Sequence, residues 1–144
     1  MTDLYDSIAE AFSLEKSDPK TVSALQLAFI GDAVFEMFSR TIAVSSGNHK
    51  ITKLHGDAIS RENARVQSKM ALFLEESLTE EERSVYRRGR NADVVTKAKN
   101  ATVQEYHRAT GLEAVIGYLY LSGKPERIAE LLQKGWASEN VLNG

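Results

Sequence analysis

Two apolar stretches of this chain each contain a single carboxylate, and this pattern constrains both the fold and the chemistry. Asp32 lies within 25–35, and Glu113 lies within 111–119. A helix that is apolar on nearly all sides is expected to be buried, whereas Asp and Glu are rarely buried without a partner. We therefore expect each carboxylate to have a partner, a bound metal or a shifted pKa, and one divalent cation held between two helices would satisfy both.

The remaining sequence predicts an all-α fold. Its 144 residues suit one domain with a single core. No period-two strand pattern is present, and the segment 89–101 is expected to form a loop. Apolar periodicity and capping signals predict helices over 3–12, 21–44, 51–59, 61–75, from Thr79 to Arg88, 102–121 and from Pro125 onward.

Composition excludes several classes of site. The chain has no cysteine, so disulfides, thiolate metal sites and a cysteine nucleophile are excluded. No run has the length and apolarity of a membrane-spanning helix, and the N-terminus lacks the basic region of a secretory signal. The sequence thus predicts a cytoplasmic protein without a membrane segment.

The charge distribution is uneven. The net charge is -2, but the segment 83–108 has seven basic and two acidic side chains, which is +5, so the remainder carries -7. Such a basic segment is a candidate anion-binding surface. A solvated helix end and loop would have the same composition, and charge alone leaves both interpretations open.

Glycines accompany both carboxylates. Gly31 and Gly117 have no Cβ, so another helix, a ligand or a metal could approach closely. Two carboxylates can hold Mg²⁺ together with a substrate phosphate, and such an ion activates water for phosphodiester hydrolysis. The alternative is that Asp32 and Glu113 are neutralised by Arg, Lys or backbone donors, as in structural ion pairs.

Three motifs resemble known sequences. The runs 27–34 (LAFIGDAV) and 112–121 (LEAVIGYLYL) resemble the two motifs of the ribonuclease III family. The run 87–92 (RRGRNA) resembles a segment of its short bacterial branch, Mini-ribonuclease III. The resemblance covers about 21–135 and implies a homodimeric, ribonuclease III catalytic-domain-like helical bundle over 21–144, after an N-terminal helical extension at 1–20.

The resemblance implies an endoribonuclease that cleaves double-stranded RNA and leaves 5′-phosphate and 3′-hydroxyl ends. Asp32 and Glu113 would be its catalytic residues and would bind Mg²⁺, for which Mn²⁺ could substitute. Full-length ribonuclease III has two further carboxylates where this chain has Ala28 and Thr110, so the number of metal ions stays open. Three other acidic residues remain weaker candidates to assist: Glu36, Asp57 and Glu62.

RNA contacts and the dimer interface are also implied. Duplex RNA is recognised mainly through its phosphates and shape, so the basic segment supplies the candidate RNA-binding residues: Arg87, Arg88, Arg90, Lys97, Lys99 and Arg108. A weaker group comprises His49, Lys50, Lys53, His55 and Lys69, while His107 is expected to be an ordinary surface imidazole. Cutting both strands requires two sites, hence a homodimer. Its interface anchor would be Phe29, although the sequence alone favours Phe29 as ordinary core.

The branch also implies a substrate and partners. The expected substrate is the paired stem of the 23S ribosomal RNA precursor, and ribosomal proteins of the large subunit are possible partners. Because the chain stops at Gly144, no double-stranded-RNA-binding domain is expected to follow. One alternative is a catalytically silent duplex-RNA-binding or ribosome-associated dimer, against which the two carboxylates favour the enzyme. Another is a helical dimerisation adaptor, against which the basic segment and the matching order of the motifs argue.

Overall fold

The computed structural model describes residues 3–46, 64–92 and 102–138. None of these residues lies in a β-strand, and the predicted all-α fold is confirmed. The helices and the short 3-10 turns between them are α1 (Leu4–Ala11), a turn at Pro19–Thr21, α2 (Ala24–Ser45), α3 (Ala64–Leu74), a turn at Glu75–Ser77, α4 (Glu80–Arg90), α5 (Val103–Leu121) and α6 (Pro125–Ser138).

Helix α5 forms the centre of the molecule. It packs against α2, α3, α4 and α6, and every residue from Ala109 to Leu119 except Glu113 is buried. The expectation of a buried helix around Glu113 is therefore confirmed. The ring of Phe35 from α2 meets the ring of Trp136 from α6 edge to face, with 5.0 Å between centroids, and closes the other side of the core.

Helix α2 is buried along only one face. Leu27 and Phe35 are fully buried, whereas Asp32 is exposed. The prediction that α2 is buried all round is wrong for a single subunit, because α2 lies at the edge of the bundle. A row of apolar side chains remains exposed along it: Leu25, Phe29, Met37 and Val44.

The helix starts follow their capping signals. Thr79 accepts a hydrogen bond from the Glu82 amide at 3.1 Å, and the Glu82 carboxylate accepts one from the Thr79 amide at 3.0 Å. The predicted loop from 89 onward is wrong at its start, because α4 continues to Arg90. Gly89 allows this close packing, since a Cβ there would lie 2.8 Å from the Ala114 Cβ of α5.

A buried ion pair connects α4 to α6. Arg127 donates to both carboxylate oxygens of Glu82, at 2.9 and 2.8 Å, and to the Ser77 carbonyl at 2.8 Å. Burial alone would raise the pKa of Glu82, but hydrogen bonds from Arg127 and from the Thr79 amide bring this pKa below its ordinary value. Glu82 is therefore a carboxylate whose charge the protein itself neutralises.

The first helix lies beside the bundle. The ring of Tyr5 in α1 stacks on that of Tyr120 in α5, with 5.4 Å between centroids. An apolar groove of about 340 Å³ runs between α1 and α2, with Ile8, Val34 and Met37 in its walls. Among the described residues, no helix is both long and apolar enough to cross a membrane.

Candidate active site

The closest contact between α2 and α5 occurs at two glycines. A Cβ atom on Gly31 would lie 1.8 Å from the carbonyl oxygen of Glu113, and one on Gly117 would lie 1.9 Å from the carbonyl oxygen of Leu27. Such atoms cannot be accommodated, so the two backbones touch only because these side chains are absent. The sequence left open whether a helix, a ligand or a metal approaches Gly31 and Gly117. In the structure, the backbone of another helix lies against each of them.

This crossing brings the two carboxylates together. Asp32 follows Gly31 directly, Glu113 lies at the contact itself, and the two side chains share a hydrogen bond. Burial is the largest cause that raises the pKa of Glu113, and the hydrogen bond to Asp32 and its negative charge add to it, to about 10. Without a cation, burial and the neighbouring Asp32 therefore favour the protonated form of Glu113.

Glu113 and Glu82 show the two ways in which a carboxylate can be buried. Glu82 is paired with Arg127, which lowers its pKa. Glu113 faces another carboxylate, and among the described residues neither it nor Asp32 has an ion pair with a basic side chain. Among the described residues, a basic partner is therefore present for Glu82 and absent for Glu113.

The pair opens into a cleft of about 370 Å³. Walls from α2, α3 and α5 surround it, and its polar lining residues are Asp32, Gln67, Tyr106, Thr110 and Glu113. The Thr110 hydroxyl donates to the Tyr106 carbonyl at 2.9 Å, so its proton is already used within the helix. Thr110 and Glu113 both line this cleft, so they share one face of α5, as their spacing predicts.

The donor set suits a hard divalent cation. Two carboxylates in contact supply oxygen ligands, and Mg²⁺ commonly uses one or two carboxylates, several waters and a substrate phosphate. No cluster of three or more acidic or histidine side chains able to hold a metal occurs in 3–46, 64–92 or 102–138. Glu36 instead forms an ion pair with Arg40, while Asp57 and Glu62 lie outside the described residues.

The candidate RNA-binding arginines occupy different surfaces. Arg87 and Arg90 line one hollow beside α4, and Arg90 also lines a second hollow with Arg108. Arg88 instead donates to the Val22 carbonyl at 3.0 Å, and Arg108 donates to the Ser68 hydroxyl at 3.2 Å.

Several other candidates fall elsewhere. Lys69 is exposed on α3, and His107 is partly exposed in the second hollow. The Nδ1 atom of His107 is buried and has no partner among the residues described. The remaining basic candidates lie outside the described residues: His49, Lys50, Lys53, His55, Lys97 and Lys99.

Phe29 is 82% exposed and lies at the rim of the cleft. The core position that the sequence alone favours is therefore wrong for this subunit. Its exposed ring is compatible with the interface role that the resemblance implies. That role itself stays a prediction.

Gln67 is the cleft residue that sequence reasoning missed. It is 3% exposed, and its carboxamide has no hydrogen-bond partner among the described residues. No local motif marks it, because a single glutamine in a helix is usually a surface residue. Only the packing of α3 against the other two helices brings it to the cleft.

Comparison with known proteins agrees with this geometry. The sequence profile of the ribonuclease III domain matches residues 25–124. Mini-ribonuclease 3 of Brevibacillus brevis is 45% identical over 83% of this chain and 90% of its own length. That of Clostridium tetani is 44% identical over 82% and 79%.

A crystal structure of a Fusobacterium nucleatum protein has a TM-score of 0.75 and 34% identity, and the match covers 81% of this chain and 95% of that one. The matched profile includes both Asp32 and Glu113 and covers more than half of the chain. The chain therefore belongs to the ribonuclease III family, within its Mini-ribonuclease 3 branch.

Proposed function

We propose that the protein is a divalent-metal-dependent endoribonuclease in which Asp32 and Glu113 bind the metal. Membership of the ribonuclease III family makes it an endoribonuclease that acts on double-stranded RNA. The observation that carries the proposed site is the carboxylate pair at the glycine crossing, which lacks a basic partner among the described residues. A bound cation would replace the proton that Glu113 otherwise keeps.

The residues of the cleft have different proposed roles in the reaction. Asp32 and Glu113 would hold the ion, which would supply activated water and stabilise negative charge on the phosphate. Glu113 must release its proton when the ion binds, because a protonated carboxyl is a poor ligand. The walls of α2, α3 and α5 fix the two carboxylates on rigid elements, which limits their movement during the reaction.

Finer points of the function rest on the branch resemblance. We propose Mg²⁺ as the usual ion, with Mn²⁺ as a substitute, and the paired stem of the 23S ribosomal RNA precursor as substrate. Ribosomal proteins of the large subunit are the proposed helpers, and the cytoplasm is the proposed location. The products are proposed to have 5′-phosphate ends.

Cleavage of defined nucleic acids tests the activity. With Mg²⁺, the protein should cut a long RNA duplex and the isolated 23S precursor stem, but neither single-stranded RNA nor duplex DNA. Chelation should abolish cutting, and Mn²⁺ should restore it. Binding of the duplex without cleavage in both metals would instead identify a silent duplex-RNA-binding protein, and neither binding nor cleavage would favour the dimerisation adaptor.

A surface beside α4 is proposed to contact RNA phosphates. Arg87 forms no ion pair with a described residue, and Arg90 lies over the Tyr86 ring at 5.6 Å, so both guanidinium groups can donate hydrogen bonds to a phosphate. We expect the double variant Arg87→Gln/Arg90→Gln to bind duplex RNA more weakly, with its salt dependence reduced by about two counterions.

Fluorescence anisotropy across a salt series measures this slope. Lys134→Gln removes one positive charge from α6, and we expect it to leave the slope unchanged. An unaltered slope in the arginine variant would remove this surface from the RNA interface.

A homodimer is proposed to form through α2. The exposed row that contains Phe29 and Met37 leads into the apolar groove beside α1, so a two-fold contact can place the row of each copy against the groove of the other. Phe29 also lines the cleft, so such an interface would adjoin the active site.

The dimer prediction is tested at Phe29. We expect Phe29→Asp to be monomeric in sedimentation experiments, because a buried unpaired charge would oppose association. Phe12→Asp changes another ring that is 72% exposed and lies just after α1. It should leave the dimer intact. A dimeric Phe29→Asp variant would contradict the proposed interface.

A further inference from the structure

We infer that Gln67 contacts the substrate, donating a hydrogen bond from its side-chain amide to a phosphate oxygen of the RNA strand in the cleft. This inference rests on the proposed function, because it assumes that RNA occupies the cleft. It concerns a neutral residue on α3, which belongs neither to the carboxylate pair nor to the basic segment.

The nearly complete burial of Gln67, with its carboxamide unused, is the first observation. Gln67 is 97% buried by its 3% exposure, yet its carboxamide has no hydrogen-bond partner among the described residues. The carboxamide is not among the fully enclosed polar atoms without a partner, which are Tyr86 Oη and His107 Nδ1. Its small exposed area therefore opens into the cleft that Gln67 lines, where a ligand can complete its hydrogen bonding. Neighbouring Ser68, which is equally buried, accepts a hydrogen bond from Arg108.

The location of Gln67 is the second observation. It lines the same cleft as Asp32 and Glu113 but comes from the third wall, α3. Asp32 and Glu113 offer a phosphate no positive charge until a cation binds, and the Thr110 hydroxyl donates to a backbone carbonyl. The amide of Gln67 is therefore a free donor in the described lining, together with the Tyr106 hydroxyl.

The chemistry of the amide suits a phosphate oxygen. A side-chain amide donates two hydrogens without adding positive charge, so it can hold a phosphate oxygen without competing with the cation for the carboxylates. A buried side chain also has little freedom to lose on binding, and a pre-positioned donor is the kind that helps to stabilise a reacting phosphate. The length of the Gln side chain lets it reach from α3 while its backbone remains in the helix.

Substitution combined with sulfur replacement tests the contact. Gln67→Leu removes the donor at similar size, and we expect single-turnover cleavage of duplex RNA to slow about 10- to 100-fold. Gln133→Leu makes the same change on the exposed face of α6 and should leave the rate unchanged. The melting temperature shows whether Gln67→Leu is folded, and Gln67→Met provides a second variant if it is not.

The contacted oxygen is located with duplexes that carry single phosphorothioates at and next to the cleavage site. For the wild type, one sulfur position should weaken binding or slow cutting and should not be rescued by Mn²⁺, whereas Gln67→Leu should show no penalty there. Equal penalties in both proteins at every position would overturn the inference.

Binding of the same duplexes is also measured in Ca²⁺, where cleavage is not required. This measurement tests the Gln67 contact separately from the proposed nuclease activity. If the wild type cuts no duplex, the proposed function fails, but the penalties in binding still decide the role of Gln67. If one sulfur substitution weakens binding by the wild type but not by Gln67→Leu, the contact is supported. If every substitution affects both proteins equally, or if the wild type does not bind, the inference is overturned.

Discussion

Replacing Glu113 with glutamine should abolish RNA cleavage and stabilise the metal-free protein. Glutamine keeps the shape of the side chain but is a poor ligand for a hard cation, so we expect the cleavage rate to fall at least about 1,000-fold. Glutamine also needs no proton to lie beside Asp32, whereas Glu113 must keep a proton that the unfolded chain releases, so the change should raise the free energy of unfolding by roughly 1–3 kcal/mol near pH 8 without metal.

The pH dependence follows from the raised pKa of Glu113. Below about pH 4.5 this carboxyl is protonated in both the folded and the unfolded chain, and no stability is lost. As the pH rises from 4.5 towards about 10, the unfolded chain releases the proton while the folded protein retains it. Stability of the wild type without metal should therefore fall over this interval, and that of Glu113→Gln should fall less.

Thermal unfolding at pH 6 and pH 8.5, with chelator and with excess Mn²⁺, measures both effects. The metal should stabilise the wild type more at the higher pH, because binding then requires less proton release. Asp32→Asn should also lose cleavage and serves as the parallel variant for the metal site. If Glu113→Gln cut at the normal rate, or if its stability in chelator matched that of the wild type at both pH values, the site would be wrongly assigned.

Adding one methyl group at Gly31 should disrupt the fold at the site. The new Cβ would lie 1.8 Å from the Glu113 carbonyl oxygen, which is backbone and cannot turn away. Alanine gains about 1 kcal/mol in helix propensity, but separating α2 from α5 should cost more, with a net loss of roughly 3 kcal/mol. We expect the melting temperature to fall by about 10 °C and cleavage to be lost.

Gly135→Ala is the matched control in another helix. There the added Cβ would meet the terminal Cε of Met70 at 2.7 Å, and this flexible side chain can move. Circular dichroism melting and the cleavage assay should show a small change for Gly135→Ala and a large one for Gly31→Ala. Equal stability in the two variants would mean that the close helix contact is not required.

The sequence predicted the helices of the described residues and marked the carboxylate pair, because both depend on local signals. The helix predicted over 51–59 lies outside the described residues. Capping residues and apolar periodicity marked the helices, and unpaired acids in apolar runs marked Asp32 and Glu113. The motif around Arg90 suggested a loop, because Gly89 breaks periodicity. The structure places Gly89 within α4, where it is the point of contact with α5.

Other features depend on packing and could not be predicted locally. Whether Phe29 lies in the core or at the surface depends on how many faces of α2 pack against other helices. The apolar pattern of α2 does not show that one face remains exposed. The exposure of Asp32 has the same origin. Gln67 becomes a cleft residue only through the position of α3, and the partner of Glu82 is Arg127, 45 residues away.

The two backbones that touch at Gly31 and Gly117 also bear on protein engineering. Because peptide atoms set the spacing of the two acids, substitutions among distant side chains such as Ile128 or Leu132 should alter heat tolerance without changing that spacing. A more heat-resistant enzyme could therefore be selected from variants of α6, with its choice of metal ion unchanged.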